Sequence, residues 1–351
     1  GIAVTNVGHR HPGVVKAINE KVDHYLHVMP YGEFIQGPQV ELAELLNQIL
    51  SDPLSTSYFV NSGTEANEAA LKLAKRYTGR RKIVSCLGSY HGSTHGSLSV
   101  SGNEKKKYAF RPLLPEVYFM RFNCIDDLHL IDEKTAGVII ETVQGDAGVR
   151  IPSKEYMQAL RKRCDETGAQ LIFDEIQAGF GRTGKFFAFE HFGVVPDILS
   201  IAKSMAGGMA MGAFVSSREK MASLKEDPIL GHITTFGGHP LCCAAAVANI
   251  RAIKDENMVE GCEAKGQLLE SLLSHPAIVE IRRIGMMFAV EFESADLVYR
   301  IVDKCLEKGV ITFYFLSCPE SFRLAPPLNI SEEEIREAAT AINEAIEESV
   351  E

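Results

Sequence analysis

Apolar residues recur at two periods along the chain, and the switches between them mark the elements. Short apolar runs predict strands at Tyr58-Phe59-Val60, Lys82 to Cys86, Gly137 to Glu141, Gln170 to Asp174, Ile198 to Ile201 and Ala213 to Ser216. Helical spacing appears at Val14 to His27, at Pro38 to Leu50, where a proline suits the first turn, and at Ser153 to Thr167. A further helix follows Val60 and carries Ala66, Ala69, Ala70, Leu73, Ala74 and Tyr77 on one face. Its small residues predict close packing against a sheet. Strands alternating with helices give an α/β fold with a mostly parallel sheet in a three-layer α/β/α sandwich.

A long helix from about Pro240 to Asp255 ends that rhythm. Beyond it the pattern predicts a helix, strands around Ile278 to Arg283 and Met287 to Phe292, a second helix, strands near Val310 and Arg323, and a last helix. The last helix opens on the capping box Ser331 to Glu334 and turns Ile335, Ala339, Ile342 and Ile346 inward. The expected organisation is therefore a large domain over 37–253 and a smaller α+β C-terminal domain over 254–351. The segment 1–36 is expected to belong to the small domain. It has no initiator Met and opens inside a motif, so it reads as incomplete.

Composition narrows the function classes. The chain has 351 residues, 46% apolar and 23% charged, which excludes disordered and fibrous architectures. Its formal net charge of −10 disfavours nucleic acid and anionic lipid as partners. No apolar run approaches the roughly 18–20 residues that cross a bilayer. The eight cysteines are scattered without a C-x-x-C, so they read as reduced thiols and the expected address is cytoplasmic.

Three segments carry chemistry. In NSGTEANEAALKLA (61–74), a strand runs into a helix, so Ser62, Gly63 and Thr64 present N–H groups and hydroxyls at the positive helix end, where a phosphate or a plain N-cap is stabilised. In LIFDEIQAGFGRTG (171–184), Asp174 ends an apolar strand and leaves the sheet at its carboxyl edge, where α/β folds place ligands. In DILSIAKSMAGGMAMGAF (197–214), Lys203 follows a strand among small residues, and a desolvated, neutral lysine condenses with carbonyls. Each feature alone has a bland reading: an N-cap, a structural ion pair, a surface charge. Together they match the phosphate, ring nitrogen and aldehyde of pyridoxal 5′-phosphate.

With these motifs the chain resembles the class III aminotransferases of PLP fold type I, nearest to the acetylornithine, ornithine and 4-aminobutyrate aminotransferase group. The resemblance runs from GIAVTNVGHRHP (1–12) to RLAPPL (323–328). It implies that Lys203 is the Schiff-base lysine, that Asp174 pairs with the pyridinium nitrogen, and that Gln177 lies near the phenolic oxygen. It also implies that Gly63 and Thr64, with Ser62 adjacent, hold the phosphate, that Tyr90 stacks on the ring, and that Glu141 lies near the cofactor. Thr235, in HITTFGGHPL (232–241), is implied to complete the phosphate site of a neighbouring subunit, hence a homodimer. Arg323 is implied to take a substrate carboxylate.

Three departures bear on the substrate. Ser93 stands where relatives with ornithine-like or 4-aminobutyrate donors carry an arginine for the distal carboxylate. Asp146 replaces a Glu that latches the carboxylate-binding arginine, and His239 replaces an Asn. These count against an acetylornithine donor. GFGRTGKF (179–186) lacks the hydroxyl of a P-loop and reads as a loop, His9-Arg10-His11 reads as a turn at Pro12 rather than a metal site, and Lys105-Lys106-Lys107 reads as a solvated face. The expected reaction is amino transfer from an amine or amino-acid donor to a 2-oxo acid, 2-oxoglutarate in the first instance. An aminomutase or decarboxylase of the same fold, or a relative that has lost its chemistry, are the alternatives.

Overall fold

Seven strands carry the larger sheet: β1 (Thr56–Val60), β2 (Lys82–Cys86), β3 (Val117–Met120), β4 (Thr135–Glu141), β5 (Gln170–Asp174), β6 (Ile198–Ile201) and β7 (Gly212–Ser216). The computed structural model, which describes residues 2–30 and 33–350, orders them β1-β7-β6-β5-β4-β2-β3. β7 runs antiparallel to both neighbours and the remaining pairings are parallel. Gly1, Tyr31, Gly32 and Glu351, which belong to the expected terminal segments, lie outside the described residues.

Every residue of β4 and β5 is buried, as parallel strands covered on both faces require. Alternate side chains go to opposite layers. Ile139, Ile172 and Ile198 pack with α3 (Gly63–Thr78), whereas Val138, Ile140, Leu171 and Phe173 share a core with Tyr156, Met157 and Leu160 of α5 (Lys154–Thr167). That is the expected sandwich. On α3 the fully buried Ala66, Ala69, Ala70 and Ala74 let the helix lie close to the sheet. A Cβ on Gly137 of β4 would already lie 3.1 Å from that of Ala74.

Register aligns the strand ends. Glu141 pairs with Asp174, and Asp174 with Ser200, so β4, β5 and β6 end together. The carboxyl edge of the sheet thus receives Glu141, Asp174 and, two residues after β6, Lys203.

Other helices complete the layers: α1 (Pro12–Val22), α2 (Gly37–Ile49), α4 (His95–Val100), α6 (Arg218–Ala222) and α7 (Pro240–Asp255). A second, antiparallel sheet of β8 (Glu280–Ile284), β9 (Met287–Glu291), β10 (Phe313–Tyr314) and β11 (Ser321–Leu324) has the order β10-β11-β9-β8. α8 (Cys262–Leu272), α9 (Ala295–Glu307) and α10 (Glu332–Val350) accompany it. The capping box forms: Ser331 N–H donates to Glu334 Oε2 at 2.8 Å, and Glu334 N–H to Ser331 Oγ at 3.2 Å. All eight cysteines are unpaired and six are buried.

Three expectations shift. α1 ends at Val22, not His27, because the following Leu26 and Val28 are 67% and 51% exposed and meet no core. β3 escapes the period test because it is a four-residue edge strand that buries only Met120. Val310 belongs to no strand: its N–H donates to Cys305 O at 2.8 Å, closing the turn after α9.

The loop after β5 contributes a buried brace. Arg182 is inaccessible and donates to Met286 O at 3.0 Å, Pro326 O at 2.6 Å and Asn6 Oδ1 at 2.5 Å. It ties the N-terminal segment, the β5 loop and the second sheet, and burial pushes its pKa down to about 10. Arg182→Ala strands three acceptors and is expected to cost at least ~3 kcal/mol in urea unfolding. A loss below ~1 kcal/mol would contradict that role.

Candidate active site

A cavity of about 420 Å³ opens at the common strand edge. Ser62, Gly63 and Thr64 reach it from α3, Tyr90 and Ser93 from the loop after β2, and Glu141 and Asp146 from β4 and its loop. Asp174 and Gln177 enter from β5 and its loop, and Lys203 from the turn after β6. A larger cleft of about 1040 Å³, lined by Arg150, Lys185 and Arg283, contains none of these groups.

Asp174 is 5% exposed and held by three donors. Asn67 Nδ2 lies 2.7 Å and His91 Nδ1 2.8 Å from Oδ2, and Ile176 N–H donates to Oδ1 at 3.0 Å. A carboxylate only accepts, so His91 carries its proton on Nδ1. Asn67 also donates to His91 O at 2.8 Å, which fixes the pair as a unit. Neither partner is among the residues expected at the site. Asn67 sits in the buried stripe of α3, four residues after Gly63, and a polar side chain inside an apolar stripe is the signal that could have found it. His91 adjoins Tyr90 but carries no periodic signature.

Lys203 has φ +47°, a left-handed conformation unusual for a side-chain-bearing residue and one that concentrates at functional sites. The turn is pinned from α7, where the buried Asn249 donates to Ser204 O at 2.7 Å and Met205 O at 3.1 Å. Among the described residues no side chain hydrogen-bonds to its Nζ. Desolvation lowers the pKa of Lys203, the carboxylates of Asp174 and Glu141 offset part of this, and Arg323 adds to it. The surface Lys203 keeps faces the cavity, so a larger neutral fraction is available there as a nucleophile.

At the start of α3, Ser62 Oγ is committed to capping, accepting from Glu65 N–H at 3.3 Å. The N–H groups of Gly63 and Thr64 have no acceptor among the described residues, as expected of a first helical turn. A Cβ on Gly63 would lie 2.7 Å from Ile176 Cδ1, so a larger residue there would have to displace the Ile176 side chain. The Thr64 hydroxyl meets Ser97 Oγ at 2.6 Å and Thr94 Oγ1 at 2.9 Å.

Glu141 braces two loops: Oε1 accepts from Tyr90 N–H at 3.0 Å and Oε2 from Gly145 N–H at 2.9 Å. Burial pushes its pKa up to about 7. Tyr90 is 40% exposed. Gln177 passes so near Gly145 that a Cβ there would overlap its side chain.

Arg323, on β11, is 8% exposed, stacks over Phe315 at 4.2 Å and reaches Asp146 Oδ1 at 3.5 Å. Its Nε is buried without a partner among the described residues. Asp146 instead receives Lys106 Nζ at 2.5 Å and the Ser317 hydroxyl at 2.6 Å. The lysine triplet is therefore not one solvated face: Lys106 turns to Asp146 and the Tyr90 ring, and Lys107 is 4% exposed with its Nζ 4.1 Å from the Phe119 ring centroid. Thr235 is exposed and does not line the cavity; its carbonyl accepts from His27 at 3.0 Å. His239 caps α7, with Nδ1 accepting from Leu241 N–H, a task Asn performs equally. His11 caps α1 in the same way, accepting from Gly13 N–H, with Glu256 on its Nε2.

These residues fit pyridoxal 5′-phosphate. Open N–H groups at α3 suit its phosphate, a buried carboxylate held by three donors suits its ring nitrogen, and an unpaired desolvated amine suits its aldehyde. The family described as Aminotransferase class-III matches residues 1–346. The chain is 40% identical to the acetylornithine aminotransferase of Methanopyrus kandleri, over 99% of this chain and 89% of that one. It is 37% identical to the putrescine aminotransferase of Pectobacterium atrosepticum, over 95% and 74%. Among solved structures, the ornithine aminotransferase of Toxoplasma gondii with PLP partially occupying its active site superposes with a TM-score of 0.91, at 29% identity, covering 99% and 86%. The chain thus belongs to the class III aminotransferases, and is a pyridoxal-phosphate-dependent enzyme of fold type I that transfers an amino group from an amine donor to a 2-oxo acid.

Proposed function

We propose that Lys203 is the Schiff-base lysine of this transaminase and that Asp174 keeps the proton on the ring nitrogen. The observation that carries this is the shared strand edge: register brings a three-donor carboxylate and an unpaired, desolvated amine into one cavity. When bound, pyridoxal 5′-phosphate supplies a carbonyl that accepts the donor's nitrogen and a ring that withdraws the electron pair left on the donor carbon. Lys203 Nζ, neutral for a larger fraction of the time than an exposed lysine, takes the proton from that carbon and returns it on the other side of the exchange. Asp174 is held in place against the ring nitrogen by its three donors. Gly63 and Thr64 N–H groups hold the phosphate, with Ser62 orienting the turn. Tyr90 covers the ring face, Gln177 stands by the phenolic oxygen, Glu141 holds the Tyr90 and Gly145 loops in place, and Ser93 borders the donor's far end. Arg323 takes the 2-oxo acid carboxylate by its planar fork.

The test is glutamate formation from 2-oxoglutarate by PLP-loaded protein, with acetylornithine, ornithine and putrescine as donors. No glutamate from any of the three would contradict transamination of this donor group. Release of carbon dioxide or isomerisation without acceptor consumption would favour the decarboxylase or aminomutase reading.

A homodimer with Thr235 reaching the neighbouring phosphate site is supported by the apolar surface around it. Leu26, Phe34, Ile35, Ile229 and Phe236 are 55–91% exposed, and His27 joins the two segments through Thr235 and Phe236. Thr235→Ala is expected to weaken PLP binding about tenfold, the value of one charge-assisted hydrogen bond, without changing the dimer mass in sedimentation. A monomeric, fully active protein would overturn this. Eight unpaired cysteines suit the cytoplasm, where thiols stay reduced.

A further inference from the structure

We propose that Lys106 is a positioning residue that holds Asp146 away from Arg323, leaving the guanidinium free for the carboxylate of the incoming 2-oxo acid. This rests on the assignment of Arg323 as the carboxylate-binding residue.

Three groups compete for Asp146. Lys106 Nζ takes Oδ2 at 2.5 Å, the Ser317 hydroxyl takes the same oxygen at 2.6 Å, and Arg323 Nη2 reaches Oδ1 only at 3.5 Å. The two short contacts are charge-assisted hydrogen bonds; the third is at the outer limit of one. Burial raises the Asp146 pKa, but Lys106 and Ser317 outweigh it and hold the carboxyl below its ordinary value, so it stays an anion. Arg323 is left with its Nε unpartnered and its plane against Phe315. A buried guanidinium satisfied on one side by a ring face and on the other by a long contact is short of acceptors, and a carboxylate supplies two.

Lys106 is held in turn. Its Nζ lies 5.0 Å from the centroid of the Tyr90 ring, and Tyr90 is anchored through its N–H to Glu141. Asn103 Nδ2 donates to Ser317 Oγ at 2.8 Å, tying the segment that carries Lys106 to the second claimant on Asp146. The formal charge of the trio Lys106, Asp146 and Arg323 is +1, placed on the guanidinium. Without Lys106 the trio is neutral, Asp146 turns to Arg323, and each 2-oxo acid must first displace that carboxylate.

The test uses PLP-loaded enzyme and two acceptors, 2-oxoglutarate and pyruvate, which share the carboxylate next to the keto group and differ in the distal one. Lys106→Met is expected to raise the KM of both acceptors by the same factor, about tenfold, with kcat within about threefold of wild type; a factor of ten corresponds to about 1.4 kcal/mol. Lys106→Arg should keep the wild-type KM. Adding Asp146→Asn to Lys106→Met should remove most of the increase, since the competing anion is gone. An unchanged KM in Lys106→Met, or an increase that persists in the double variant, overturns the proposal. An increase confined to 2-oxoglutarate also overturns it, in favour of direct contact between Lys106 and the distal carboxylate. Lys106→Gln, read in the same way, serves if the methionine variant does not retain the visible absorbance of bound cofactor. Arg323→Met separates the underlying assignment: if it leaves both KM values unchanged, that assignment fails, whatever Lys106 does.

Discussion

Lys203→Ala is expected to lower kcat at least about 10³-fold, because one substitution removes both the nucleophile and the proton carrier, and proton transfer alone contributes about 10²–10⁴. The pH dependence carries a second signature. The Lys203 pKa is lowered from 10.5 by desolvation, so the neutral amine accumulates as pH rises through a midpoint below that value. The wild-type rate should climb over that range, and the alanine variant should lose this limb. A small amine such as methylamine should restore part of the rate, since the cavity made by the truncation adjoins Ala202 and Gly208, which leave it open. A variant that kept more than about a tenth of wild-type turnover would show that another group moves the proton.

Asp174→Asn is the second large effect. The amide keeps the shape but loses the charge; with its oxygen accepting from Asn67 Nδ2 and His91 Nδ1, its NH₂ would face the Ile176 N–H, a donor against a donor. Turnover is expected to fall about 10²–10³-fold, the range measured when one preorganised electrostatic group is removed. Cofactor affinity should change less, by about tenfold or under, because the phosphate contacts and Lys203 remain. Steady-state rates beside a PLP titration separate the two. Wild-type turnover in Asp174→Asn would remove Asp174 from its role.

Asp174 and Lys203 are legible in the chain because each follows a short, mostly apolar run, and such runs end at a sheet edge whatever the details of packing. The α3 turn is legible for the same reason: a strand, Ser-Gly-Thr and an alanine stripe determine local structure within a dozen residues. Asn67 and His91 are not, since their importance comes from meeting Asp174 across 107 and 83 residues of chain. Arg323 and Asp146 meet across 177 residues and two sheets, so no local pattern reports how loosely they are joined. The lysine triplet misleads because charge runs usually face solvent. A tight turn over Glu104–Lys106 sends Lys106 to Asp146, while the next residue, Lys107, lies over Phe119. Short edge elements such as β3 bury too little to impose a period.

The chemistry proposed for this site requires the cofactor to be joined to Nζ of Lys203. Borohydride reduction of the PLP-loaded protein, with proteolysis and mass mapping of the peptides, reads that bond out. A single modified peptide spanning the turn after β6, with the added mass on Lys203, is the expected outcome. Modification of any other lysine, or of none in a protein that still transfers amino groups, would refute the assignment.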